Sequence, residues 1–105
     1  MSGQIFERPD QAINVLDGED IFEPKKYVVI MHNDDYTTQE FVVHILMNFF
    51  FKNQEEAHSL MLMVHQTGQA RVGIYTKDIA LSKVSRITSY SREQGMPLRL
   101  SAEQA

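Results

Sequence analysis

Three short segments of the chain are predicted to be β-strands, and apolar residues at helical spacing separate them. Residues 27–32 (YVVIMH) and 70–75 (ARVGIY) are rich in β-branched and aromatic side chains, and residues 96–100 (MPLRL) form a third segment. Three short strands cannot bury both faces of a sheet by themselves. Helices must therefore pack against that sheet, and this requirement constrains the fold more than any other feature.

Two capping signals divide the apolar stretch between the first two strands into two helices. Thr37, followed three residues later by Glu40, matches a capping box and predicts a helix that runs to about Phe51. Asn53, followed three residues later by Glu56, is a capping signal of related form and predicts a second helix that runs to about Gln66. Gly68 is expected to end this helix. The run 60–64 (LMLMV) in this helix is apolar on most sides, so we expect it to lie deep in the core.

A third helix is expected between the second and third strands. Thr76 can cap its first turn, the helix runs to about Gln94, and Gly95 suits the position after its end. The predicted order is β-α-α-β-α-β. The predicted fold class is α+β, a compact sandwich with a three-stranded, mainly antiparallel sheet and three helices on one face.

The charge of the chain divides it into two parts. Residues 1–26 carry six acidic and three basic side chains, a net charge of −3, whereas residues 27–105 carry eight and seven, a net charge of −1. We interpret residues 1–26 as a flexible acidic N-terminal arm and residues 27–105 as the folded domain. A total charge of −4 argues against nucleic-acid binding, which depends on clustered lysine and arginine.

Several classes of protein are excluded by what the sequence lacks. It has no cysteine, which rules out a disulfide scaffold, a thiolate zinc site and a cysteine nucleophile. Its start is not a signal peptide, and no apolar run approaches the roughly 18 residues of a transmembrane helix. We therefore expect a cytoplasmic protein that does not bind a membrane, a metal or a cofactor.

The turn NDDYT (33–37) is the first candidate for a functional site. Asn and Asp are common turn formers, so one interpretation of this segment is an ordinary solvent-exposed turn. The other is a cation site, because three side chains with oxygen acceptors follow a strand and precede a helix. No further ligands are spaced for a metal, so an ammonium group is the better match. His65 could join it, since it lies one helical turn after Met61 at the edge of an apolar surface, although it could equally be a partly buried structural histidine.

Two other functions compete with amine binding at this point. Asp34, Asp35 and His65 could serve a small hydrolase, but neighbouring side chains on a turn usually diverge, and neither a nucleophile elbow nor a phosphate loop is present. The chain could also be a partner-docking domain of ribosomal-stalk-like topology. That function would leave the turn and the histidine without a common purpose.

Four stretches together resemble the ClpS family, the bacterial adaptors that deliver N-degron substrates to the ClpA or ClpC unfoldase. They are NDDYT with the following EFV (33–37, 40–42), LMLMVHQTG (60–68), GIYTKDIALSKV (73–84) and REQGMPL (92–98). The similarity covers about residues 27–100. It implies the same β-α-α-β-α-β fold, no enzymatic activity and no cofactor.

The resemblance also implies a function and a set of residues. The protein would bind the free α-amino group and the large hydrophobic first residue (Leu, Phe, Tyr or Trp) of N-degron substrates, and deliver them to an AAA+ Clp unfoldase-protease. The implied N-degron-binding residues are Asn33, Asp34, Asp35, Thr37, Gln39, Val42, Met61, Val64, His65 and Leu98, with Met31 near the pocket floor. Asp78 and Lys83 would contact the N-terminal domain of a ClpA-like or ClpC-like unfoldase.

Two positions depart from the family pattern. The family commonly has Pro-Met after the NDDYT turn, and that methionine acts as a gate against β-branched residues, whereas this chain has Thr38 and Gln39. We therefore expect altered discrimination against first residues such as Val or Ile. Leu81 stands where relatives often carry Glu near the unfoldase contact, which leaves open whether the partner is ClpA or ClpC.

Overall fold

A computed structural model describes residues 25–105, and its elements follow the predicted order. The elements are β1 (Lys26–His32), α1 (Gln39–Asn48), α2 (Gln54–Thr67), β2 (Gln69–Thr76), α3 (Lys77–Glu93) and β3 (Arg99–Gln104). The α+β class and the β-α-α-β-α-β order are confirmed. The predicted acidic arm, apart from its last two residues, lies outside the described residues.

The sheet has three strands in the order β2-β1-β3, and β1 is antiparallel to both neighbours. Its pairing with β2 changes register once, because Val29 lies opposite Gly73 while the next residue, Ile30, lies opposite Arg71. Val72 is therefore the extra residue of a β-bulge, a feature that bends a strand and increases its twist.

The core lies between one face of the sheet and the three helices. Val29 and Met31 of β1 are fully buried in it, on the face that the two-residue period of a strand gives them. The intervening Val28 and Ile30 are also buried but do not belong to this core. The other buried members of this core are Val42, Ile45, Leu46, Phe50, Ala57, Met61, Val64, Ala70, Val72, Ala80, Ile87, Leu98 and Leu100. Burial of so many large apolar groups is the main source of stability for a domain without disulfides.

The start and the end of α1 both differ from the prediction. The N-cap is Thr38, whose side chain accepts a hydrogen bond from the backbone N–H of Phe41, so the capping box assigned to Thr37 was wrong. The helix ends at Asn48 rather than near Phe51, which adopts a left-handed conformation with φ 56°. A residue in that region cannot continue a right-handed helix.

The second helix follows its prediction closely. Asn53 accepts from the backbone N–H of Glu56 at 2.8 Å, and the Glu56 carboxylate accepts from the backbone N–H of Asn53 at 3.0 Å, which completes a capping box. Gly68 ends the helix with φ 93°. The expectation that all of residues 60–64 are deeply buried was wrong for Met63, which is 48% exposed.

The structure of α3 and β3 differs from the prediction in two details. Thr76 is the N-cap of α3, but its side chain makes no capping hydrogen bond, and Gly95 has φ 79° just after the helix. The third strand runs over residues 99–104 rather than 96–100. Its position is set by pairing with β1, in which Leu100 lies opposite Met31.

Candidate functional site

A cavity of about 410 Å³ lies where the NDDYT turn, the start of α1 and the second half of α2 meet. Its volume falls within the roughly 300–1,000 Å³ that is usual for small-molecule sites. The lining residues are Asn33, Asp34, Asp35, Tyr36, Thr37, Thr38, Gln39, Val42, Met61, Val64 and His65. The fold thus brings nine of the ten residues named for N-degron binding around one cavity.

Asp34 holds the turn in shape with its own carboxylate. Oδ1 accepts from the backbone N–H of Tyr36 at 2.8 Å and from that of Thr37 at 2.7 Å, and Oδ2 accepts from the Thr37 hydroxyl at 2.7 Å. This is the Asx-type turn that favours aspartate after a strand. A carboxylate has about four lone-pair positions, so one remains for a further donor.

The same contacts alter the acidity of Asp34. Partial burial raises the pKa of its carboxyl, whereas the hydrogen bonds from the Thr37 hydroxyl and from the N–H groups of Thr37 and Tyr36 lower it by more in total. The net result is a pKa below the ordinary value of 3.8. The turn therefore carries a fixed negative charge at neutral pH, beside which a cation is stabilised.

The two candidate amine contacts come from elements that are distant in sequence. The backbone N–H of Asn33 donates to the carbonyl oxygen of Gly68 at 2.9 Å, which ties the turn to the end of α2. His65 lies three residues before Gly68, in the last turn of α2, and its ring is exposed on the cavity side. This backbone bond holds the turn that carries Asn33 next to the end of the helix that carries His65.

The inner part of the cavity is apolar. Val42, Met61 and Val64 line it and are each at most 6% exposed overall. Leu98, which was expected beside them, does not line the cavity and lies in the core at 1% exposure. Met31 is also fully buried in the core and is not among the residues that line the cavity, so its place at the floor stays a prediction.

The outer rim is polar and includes two residues that the sequence analysis did not single out. Gln39, the first residue of α1, lines the rim and is exposed. Tyr36, at 79% exposure, and the N-cap residue Thr38 also line it. The signal that could have found them is their position, since Tyr36 belongs to the NDDYT turn and Thr38 lies between that turn and the first helical residue.

The residues assigned to a second contact surface lie elsewhere on the fold. Asp78 is in the first turn of α3 and Lys83 is further along that helix. No residue of α3 lines the cavity. Lys83 Nζ donates to the carbonyl oxygen of Phe49 at 2.9 Å, so its position is fixed by the segment that follows α1.

Residues 25–105 also give information on metal binding and membrane insertion. No group of three or more His, Asp or Glu side chains comes together there in a way that could hold a metal ion. Within the same residues, no helix is long and apolar enough to cross a bilayer.

Comparison with known proteins identifies the family. The family model described as "ATP-dependent Clp protease adaptor protein ClpS" matches residues 22–101, which is most of the chain. The chain belongs to the ClpS family. This result confirms the resemblance seen in the sequence, and members of the family are adaptors of the ATP-dependent Clp protease.

Individual ClpS proteins agree with this assignment. The ClpS adapter protein of Oleidesulfovibrio alaskensis is 43% identical over 91 residues, which cover 87% of this chain and 88% of that protein. That of Lawsonia intracellularis is 48% identical over 86 residues, 82% of this chain and 79% of that protein. The structure of Agrobacterium tumefaciens ClpS2, bound to L-phenylalaninamide, has a TM-score of 0.76 and 35% identity, and covers 79% of this chain and 100% of the ClpS2 chain.

Proposed function

We propose that this ClpS protein binds the free α-amino group and the large hydrophobic first residue (Leu, Phe, Tyr or Trp) of N-degron substrates in the cavity, and delivers them to a ClpA-like or ClpC-like unfoldase. The observation that carries the proposal is the pairing of two chemistries in one cavity. Asn33, Asp34 and His65 supply acceptors at the rim, and Met61 and Val64 supply an apolar interior.

The rim suits an ammonium group at a chain terminus. An α-ammonium has three N–H donors and one positive charge. The Asn33 amide oxygen, a free nitrogen of neutral His65 and the remaining lone pair of Asp34 offer three acceptors. An acetylated or internal residue lacks that charge and those donors, and each acceptor left unpaired on burial costs about 1–3 kcal/mol.

The interior suits one large apolar side chain. Complete burial of such a side chain contributes about 1.5–3 kcal/mol, which is too little to select a substrate by itself. A methionine in the cavity wall allows the cavity to accept different first residues, because its flexible thioether adapts to side chains of different shapes. Met61 can therefore pack against both aliphatic and aromatic first residues. The two contributions together select a residue that is both terminal and large.

The related structure supports the same ligand chemistry. Agrobacterium tumefaciens ClpS2 was solved with L-phenylalaninamide, a molecule with a free α-amino group, an aromatic side chain and an amide in place of the next peptide bond. It therefore resembles the first residue of a peptide. At 35% identity and full coverage of the ClpS2 chain, this comparison favours a ligand of the same chemistry for this protein.

Delivery requires a second surface that stays accessible while the cavity is filled. Asp78 and Lys83 of α3 are the proposed contacts with the N-terminal domain of the unfoldase, and no part of α3 lines the cavity. Substrate and unfoldase can therefore bind at the same time. Unfolding and cleavage belong to the partner, and the adaptor supplies recognition.

Fluorescence anisotropy of labelled peptides tests the proposal. Three peptides that differ only at the start, with Phe, acetyl-Phe or Ser, separate the contribution of the amine from that of the side chain. We expect reversible binding of the Phe peptide alone, and its loss in His65→Ala. Equal binding of the acetylated peptide, or catalytic turnover of any of the three, would overturn the proposal.

A further inference from the structure

Phe51 occupies a position that neither the backbone nor the core favours. Its side chain is 81% exposed, so the ring gains little from burial. Its φ of 56° lies in the left-handed region, which disfavours every residue that has a Cβ atom. Glycine or asparagine would fit this backbone better. Strained conformations of this kind persist mainly where a side chain has a function.

The ring of Phe51 is held in place by a cation. Lys83 Nζ lies 5.5 Å from its centroid, and 5.7 Å and 5.3 Å from the centroids of Phe50 and Tyr75. The ammonium also donates to the Phe49 carbonyl oxygen at 2.9 Å. The exposed ring therefore lies next to an ammonium group, although it buries little area. None of these four groups carries a formal charge, so none of them neutralises the positive charge of Lys83.

A shallow cavity next to Phe51 adds a second cation. It measures about 150 Å³ and is lined by Asn48, Phe49, Phe51, Lys83, Arg86 and Ile87. Lys83 and Arg86 are three residues apart on α3, and so they share a face of the helix. Among the described residues, no acidic side chain lines this cavity. A local positive surface stands out in a protein of net charge −4.

An exposed aromatic ring beside an arginine is a composition typical of protein-binding surfaces. Aromatic residues and arginine are enriched at interfaces and supply a large share of their hot spots. The preformed position of the Phe51 ring lowers the entropy cost of association. The charges of Lys83 and Arg86 require carboxylates on the partner, beside an apolar cleft that accepts a ring.

We propose that Phe51 and Arg86, together with Lys83, form a docking surface for an acidic, cleft-bearing domain of the Clp unfoldase. The inference rests on the proposed function for the identity of the partner. Lys83 belongs both to this surface and to the unfoldase contact proposed above, which consists of Asp78 and Lys83. Phe51 and Arg86 are new members of that contact. Phe51 is the anchor of the surface, and the two cations orient the partner.

The test uses the full-length adaptor and the isolated N-terminal domain of the ClpA-like or ClpC-like unfoldase from the same organism. Phe51→Gly removes the ring and relieves the left-handed strain, so it is expected to remain folded. We expect its affinity for the domain to fall at least about tenfold. Arg86→Gln should weaken binding less, and should reduce its dependence on salt. Met63→Ala, which truncates another exposed large apolar side chain, is the matched control and should bind as the wild type does.

Binding of the Phe-starting peptide separates this inference from the proposed function. Phe51→Gly should bind that peptide with wild-type affinity, because Phe51 does not line the larger cavity. Unchanged affinity of Phe51→Gly for the unfoldase domain would overturn the inference and leave the peptide result intact. A wild-type dimer in sedimentation that Phe51→Gly abolishes would also overturn it, because a second copy would then be the occupant. Failure of the wild type to bind the peptide would instead overturn the proposed function.

Discussion

The backbone N–H of Asn33 donates to the carbonyl oxygen of Gly68 across 2.9 Å, and this bond joins the two halves of the candidate site. Asn33 begins the turn after β1, whereas Gly68 ends α2 in a left-handed conformation. The bond therefore couples the acidic turn to the helix that carries His65. The geometry of the candidate site therefore depends on a glycine that does not line the cavity.

Gly68→Ala should lower both stability and peptide affinity. Its φ of 93° is costly for any residue with a Cβ atom, and we expect a loss of about 1–2 kcal/mol in the free energy of unfolding. Gly95→Ala is the matched control, since Gly95 has φ 79° and, like Gly68, leaves open space where a Cβ atom would lie. Urea denaturation should show similar losses for both variants, and anisotropy should show weaker peptide binding only for Gly68→Ala. Equal peptide affinity in the two variants would contradict this coupling.

Asp34→Ala should destabilise the protein far more than Asp35→Ala. Both variants remove one negative charge, but only Asp34 accepts the three hydrogen bonds that shape the turn. We expect Asp34→Ala to lower the free energy of unfolding by about 1–2 kcal/mol, and Asp35→Ala to leave it nearly unchanged. Because folding lowers the pKa of Asp34, its stabilisation is complete above the ordinary value of 3.8 and is lost as pH falls through the lower folded value. Urea midpoints from pH 7 to 3 should therefore converge for wild type and Asp34→Ala, and a constant difference would contradict this role of the carboxylate.

His32 should make stability fall under mildly acidic conditions. Burial lowers the pKa of this histidine below 6.5, the Arg99 charge lowers it further, and Glu103 opposes the change. The unfolded chain then takes up the proton at a higher pH than the folded chain, so stability declines as pH falls below about 6.5 toward the folded value. His32 Nε2 is also paired with the Ser101 hydroxyl at 2.8 Å.

The comparison of His32→Gln with His58→Gln isolates this effect. His32→Gln should show a smaller loss of stability between pH 7.5 and 5.5 than the wild type, as measured by urea denaturation. His58→Gln changes an exposed histidine of α2 and should keep the wild-type loss. If His58→Gln were the variant with the flatter profile, His32 would not be the group responsible.

Gln39→Met should change the preference among first residues. Gln39 lines the outer rim of the cavity and presents a polar, flexible side chain where the family commonly has methionine. We expect the variant to discriminate more strongly between peptides that begin with Leu and those that begin with Ile, because methionine packs against the entering side chain. Competition anisotropy with the two peptides measures the ratio of affinities. The same ratio in wild type and variant would contradict a gating role for this position.

The elements of the fold were predictable where the sequence carries a local signal. The Asn53–Glu56 capping box and the glycine at 68 define both ends of α2, and the structure agrees with them. The first helix lacked such clear signals. Thr37 and Thr38 can each cap it, and only the hydrogen bond from Thr37 to Asp34 decides for Thr38. The third strand has little β-propensity of its own, so its limits depend on pairing with β1.

The residues that line the cavity were predictable from two separate stretches of the sequence, but the contacts that shape the cavity were not. The acceptors of the NDDYT turn were visible as a group, but their conversion into a turn fixed by Asp34 requires three-dimensional contacts. Leu98 and Met31 show why the apolar part of the site was harder to predict from the sequence. Their apolar character fits a pocket wall and a core equally well, and the packing of the helices on the sheet places both in the core.

Chemical shifts measured with two small ligands test the central claim most directly. L-phenylalaninamide and its N-acetyl derivative are titrated separately into the isotope-labelled protein, and backbone amide shifts are recorded by NMR. We predict that the free amine shifts residues around the cavity, above all Asn33, Met61 and His65, and that the acetylated compound leaves them unchanged. Equal shifts with both ligands, or shifts confined to another surface, would contradict recognition of a free N-terminal residue in this cavity.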